Sequence, residues 1–250
     1  GHIGAAVTDL RLYGLTEELF AADAPLRLAH RQRQARLQHA KQAARALLAA
    51  DGEPAVLRPA RRQAIAAIRR LDRAHLQGIG RVHAAFEREL APAARPAVQA
   101  AAASIRRAIA SAGAILITGG HVAVLVNRLR LLGGAALFAG KPIVAWSGAA
   151  MVASEAIVLF HDQPPQGAAN VELFDEGLGL VRGVLPFPHA QSRLHLHDPN
   201  RIALISRRFA PLVCVTLDAG AYLHFSAGRL RDHGGGFRLG RQGELSEIAA

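Results

Sequence analysis

In the stretch KPIVAWSGAAMVASEAIVLFHD, residues 141–162, one serine, Ser147, ends an apolar run and is followed at once by the smallest side chains. This suits a nucleophile elbow: a serine on a tight strand-to-helix turn, small neighbours where the bend is crowded, and free N–H groups at the helix start facing a developing oxyanion. Ile143–Ala145 would supply the strand and Gly148–Glu155 the helix, with Ala145, Gly148, Ala149 and Ala150 as the small neighbours. A serine ending an ordinary strand has the same local look, so the chemistry depends on its partners. A hydroxyl needs a base, and the base an orienting acceptor. Asp162 ends the next apolar run, and His189 follows another in GVLPFPHAQSR. Ligands of α/β sheets collect at strand carboxyl ends, so Ser147, Asp162 and His189 are expected to converge there. In LITGGHVAVLV, Gly119 and Gly120 end a strand and open a helix, so an N–H there can pair with that of Gly148 as an oxyanion hole.

The elements that must position these groups are of two textures. Residues 5–13, AAVTDLRLY, alternate and read as a strand. From 16 to 112, alanine, arginine, leucine and glutamine dominate, which predicts a helical block broken at DGEP and APAARP into helices near 23–50, 58–90 and 96–112. Ile65, Ile68, Leu71, Leu76, Ile79, Val82 and Phe86 share one face of the second. From 114 on come short apolar runs, AILITGG, PIVAWS, AIVLFHD, RIALISRRF and LVCVTLDAG, with a helical crossover over 121–138. Runs apolar on both faces predict a buried, largely parallel sheet. The expectation is therefore one α/β domain over 1–250, doubly wound, with the arginine- and alanine-rich block of 16–112 inserted after the first strand.

In the order ILITGG, helix, PIVAWSGAA, GLGLVRGVLPFPH, VTLDAGAYL, covering about residues 114–225, the chain resembles the dipeptidase E and cyanophycinase family of serine hydrolases. The resemblance implies the flavodoxin-like fold of the class I glutamine amidotransferases and a small peptide or amide substrate. It also implies Ser147 as nucleophile, His189 as base, Gly120 and Gly148 as oxyanion donors, and Asp162 as the orienting acid. Asp218 is a weaker substitute, because the family's alternative acid, in a D-E-x-T-A segment, is replaced here by Ala219 of DAGAY. Gly119 and His121 are candidate substrate contacts, although His121 can equally just begin a helix. The elbow reads S-G-A-A where the family has S-A-G-A. With the missing D-E-x-T-A acid, that supports the rival reading of an inactive member that serves as a binding or assembly module.

The net charge of +11 is local: residues 27–112 hold 17 Arg or Lys against 5 Asp or Glu, and the rest is balanced at 13 against 14. Solvated helix faces are the first reading of that block, and an arm for homodimerisation or a cover over the active-site rim the second. Nucleic-acid binding comes last, because Phe86 is the block's only aromatic for base stacking. His195 and His197 in RLHLHDPN alternate as two imidazoles on a strand would, yet lack a fixed third ligand, so no metal site is expected, and no cofactor. One cysteine, Cys214 in an apolar run, excludes a disulfide framework and sits away from the elbow, which argues against glutamine amidotransferase chemistry. No secretory signal pattern and no run near about 18 apolar residues is present, so a cytoplasmic protein without a membrane span is expected.

Overall fold

A computed structural model describes residues 9–32, 58–160 and 171–248. The helical block comprises α1 (Leu12–Ala22), α2 (24–32), α3 (Arg58–Leu90) and α4 (Pro96–Ser111). The break expected at 91–96 falls between α3 and α4, where Pro92 and Pro96 interrupt the helical ladder, whereas the break expected at 51–54 lies outside the described residues. The strand expected at 5–13 is corrected: 5–8 are not described, and α1 begins at Leu12. Leu15, Leu19 and Phe20 recur at helical spacing and pack into the core, which outweighs the short β-like alternation before them. On α3 the expected apolar face buries Ile79 and Phe86 but leaves Leu71 exposed.

The remainder is mixed α/β. Its strands are β1 (Ile115–Ile117), β2 (Ile143–Ala145), β3 (Ala156–Phe160), β4 (Val171–Glu176), β5 (Val184–Pro188) and β6 (Val213–Leu217), followed by β7 (Tyr222–Ser226), β8 (Arg229–Gly234), β9 (Phe237–Leu239) and β10 (Leu245–Glu247). Helix α5 (Val122–Leu131) and a 3₁₀ turn (Gly134–Phe138) cross from β1 to β2, which are parallel. β5 and β6 are also parallel, whereas β3–β4, β6–β9, β9–β10 and β7–β8 are antiparallel, so in place of the one largely parallel sheet expected, the described strands form several small ladders of mixed direction. β5 ends its ladder, and its Pro186 and Pro188 have no N–H to offer a further strand. No helix among the described residues is long and apolar enough to cross a membrane.

Two further expectations change. RIALISRRF is not a strand but the body of α8 (Pro199–Phe209). Asp198 accepts from the N–H groups of Asn200 and Arg201, Pro199 presets the first turn, and Ile202, Ile205 and Phe209 are buried at helical spacing. The β1–β2 pair is not buried on both faces: Ile117, Ile143 and Ala145 pack on the core, but the register partners Leu116 and Val144 are 48% and 53% exposed. The described elements cover only one side of this pair.

The helical block is tied to the α/β part by charge as well as by apolar contact. Arg208 on α8 donates to both carboxylate oxygens of Asp72 on α3, each at 2.8 Å, and to the Val171 carbonyl at 2.6 Å. The fully buried Asp175 on β4 receives His83 of α3 and Arg130 of α5. Arg69 on α3 donates to the Ala210 carbonyl at 2.6 Å. Around these pairs the core closes on Phe174, Phe187, Ile157 and Leu185, each contributing about 1.5–3 kcal/mol by burial.

Candidate active site

Ser147 lies at the end of β2 and caps α6 (Gly148–Ala153) with φ 54° and ψ −128°. Backbone of this kind is costly for any residue with a Cβ, about 1–3 kcal/mol, and persists only where its surroundings force it. The forcing is visible on both sides. Ala149 and Ala150 donate to the Trp146 and Ser147 carbonyls at 3.1 Å, closing the turn. At the far end, α6 has few turns of its own to satisfy its last carbonyls, and the G-L-G segment does so instead. Leu178 donates to Val152 at 2.7 Å, Val181 to Ala153 at 3.0 Å, and Gly179 to Ser154 at 3.0 Å. This docking is why residue 177 is glycine, since a Cβ there would sit 1.9 Å from the Ser154 carbonyl oxygen.

The elbow faces the glycine pair after β1. A Cβ on Gly119 would stand 2.8 Å from Ser147 Cβ and 3.0 Å from the Gly148 nitrogen, and one on Gly148 would stand 2.9 Å from the Gly120 carbonyl oxygen. Two backbones therefore meet closely enough to demand glycine on each. The S-G-A-A order fits this contact: the glycine is needed at 148, against the 119–120 loop, while Ala149 has an ordinary negative φ. Gly120, at φ 123°, turns the chain into α5. Among the described residues the N–H groups of Gly120 and Gly148 have no hydrogen-bond acceptor. Substituting Gly119 by alanine is expected to displace the serine and slow its reaction about 10²-fold, read as the rate of covalent labelling by a fluorophosphonate. An unchanged rate would show the contact to be irrelevant.

His189 follows β5 in the left-handed region, φ 57°, and its Nε2 is 3.3 Å from Ser147 Oγ. Of the six non-glycine described residues with positive φ, two are thus the serine and the histidine that meet. The contact is longer than a tight O–H···N bond. Ser147 is half-buried and His189 exposed, so the hydroxyl is reachable from solvent.

Not every expected group joins them. Asp162 lies outside the described residues. Asp218 does not reach the imidazole; its Oδ1 accepts the Gln191 N–H at 3.0 Å. His121 caps its own helix, its Nδ1 accepting from the Val124 N–H at 3.4 Å, which is the plainer of the two roles expected for it. His195 and His197 occupy a turn rather than a strand, with ring centroids 5.7 Å apart, and no cluster of three metal-ligating residues occurs among the described residues. Cys214 is buried, and burial pushes its thiol up to about 12, which leaves it unreactive.

Comparison with protein-family models and with curated proteins gives no match.

Proposed function

We propose that the chain is a serine hydrolase of the dipeptidase E type that cleaves a peptide or amide bond on a doubly wound α/β core. The observation that carries this reading is the 3.3 Å approach of Ser147 Oγ to His189 Nε2, on an elbow pressed against Gly119 and Gly120. In this scheme His189 takes the hydroxyl proton as Ser147 attacks the substrate carbonyl carbon. The oxyanion that forms is met by the N–H groups of Gly148 and Gly120, which have no other acceptor to give up among the described residues. His189 then passes the proton to the leaving amine, and a water molecule activated by the same imidazole releases the acyl group from Ser147. Asp162 is the proposed orienting acid. No cofactor enters the scheme.

A fluorophosphonate probe tests this directly. The wild-type chain is expected to label at one residue, and Ser147→Ala to lose the label entirely. Equal labelling of the two would end the hydrolase reading and leave the binding or assembly module in its place.

A further inference from the structure

The register of β5 and β6 places Pro188 beside Leu217, so the next residues, His189 and Asp218, leave the sheet side by side. Their side chains have different hydrogen-bond partners, Ser147 Oγ for His189 and the Gln191 N–H for Asp218. The His189 N–H donates to the Leu217 carbonyl at 3.2 Å, and two residues on, the Gln191 N–H donates to Asp218 Oδ1 at 3.0 Å. The backbone is thus held to the end of β6 on both sides of the histidine. Between the two anchors lies the left-handed residue itself, the N-cap of α7 (Ala190–Arg193). Asp218 is in turn fixed by a turn of its own: the Ala221 N–H donates to the Asp218 carbonyl at 3.0 Å, with Gly220 at φ 83°. The carboxylate stands one residue beyond the end of β6 and holds the stretch in which His189 takes its left-handed conformation and meets Ser147.

We infer that Asp218 is a positioning residue for His189, acting through the Gln191 N–H rather than as the acid behind the imidazole. This rests on the hydrolase reading above. The physical argument is that a left-handed histidine relaxes toward ordinary dihedrals unless its flanks are pinned. Relaxation rotates the Cα–Cβ bond and carries Nε2 away from an already long contact of 3.3 Å. What this role requires of residue 218 is an acceptor oxygen, whereas an orienting acid must also carry charge to stabilise the imidazolium.

That difference makes the inference testable with Asp218→Ala and Asp218→Asn, each measured for fluorophosphonate labelling rate across pH 5–9 and for thermal unfolding. Asparagine keeps an oxygen for the Gln191 N–H and loses the charge. Asp218→Ala is expected to label about 10- to 100-fold more slowly, the usual consequence of misplacing a reacting group by an ångström or less. Asp218→Asn is expected to stay within about threefold of wild type, with the same pH midpoint. Alanine labelling at the wild-type rate would overturn the inference. So would asparagine slowed as much as alanine with a displaced midpoint, since charge would then be what matters. If the alanine variant does not fold, the asparagine variant decides alone: a rate within about threefold and an unmoved midpoint sustain the role, and a loss above about tenfold refutes it. Wild-type chain that shows no Ser147-dependent label would defeat the hydrolase reading itself, an outcome distinct from all of these.

Discussion

His189→Asn is expected to lower hydrolysis of an activated ester such as p-nitrophenyl acetate by about 10³-fold or more, with little change in stability. Asparagine is the informative replacement because it tolerates the left-handed conformation that residue 189 occupies, φ 57°, better than other side chains. It therefore keeps the chain path while removing the only group within hydrogen-bond distance of Ser147 Oγ among the described residues that can take a proton. The fold has little stake in the imidazole, which is exposed and whose hydrogen-bond partner is the serine hydroxyl. An activity loss with an unchanged urea midpoint is the predicted pair of results. Retained hydrolysis in the variant would show that some other base serves Ser147, and the scheme would fail at its first step.

The largest effect on stability is expected at Asp175. Its carboxylate is fully buried on β4, where Arg130 Nη1 donates to Oδ2 at 2.6 Å, His83 Nε2 lies 3.2 Å from the same oxygen, and the Glu176 N–H donates to Oδ1 at 2.8 Å. Arg130 also donates to the Glu176 carbonyl. Arg130→Met removes the permanent positive charge and leaves the carboxylate in the core, which is expected to cost about 3–5 kcal/mol. Replacing both partners, as Arg130→Met with Asp175→Leu, is expected to recover much of that loss, because the desolvated charge goes too. Urea unfolding of the single and double variants checks this, and a single variant as stable as wild type would deny the cluster its role.

The same carboxylate sets a pH dependence whose sign follows from its surroundings. Burial alone would raise the Asp175 pKa, but the hydrogen bond from His83 and the charge and hydrogen bond of Arg130 outweigh it, and the group is held below the usual aspartate range. A carboxyl depressed on folding contributes stability that is fully present above its unfolded value of about 3.9 and is lost as pH falls through the lower folded value. Asp175→Asn should therefore show a shallower loss of stability below about pH 4 than wild type.

These residues also mark where reading the chain in one dimension stops. The helices of 58–90 and 96–112 were legible because proline and glycine punctuate them and apolar residues keep helical spacing, which are local properties. RIALISRRF reads as a strand yet folds as a helix because an apolar run of that length suits either a buried strand or one face of a helix, and the Asp198-Pro199 cap and the burial of Ile202 and Ile205 decide between them. Arg130 and Asp175, 45 residues apart, gave no signal in the sequence, since a pair joined by folding carries no spacing rule.

By itself the amino-acid order determined the elbow's raw material: one serine between a short apolar run and small residues, and a glycine pair that ends one strand and opens a helix. It also identified His189 as the base to test. Only the tertiary structure decided that Ser147 and His189 meet, that both sit at positive φ, and that Asp218 holds the backbone beside His189 instead of the ring. The reason is that side-chain type and local conformation are written within a few neighbouring residues, whereas a contact across 42 positions depends on how β2 and β5 end relative to one another, which the packing of the core sets.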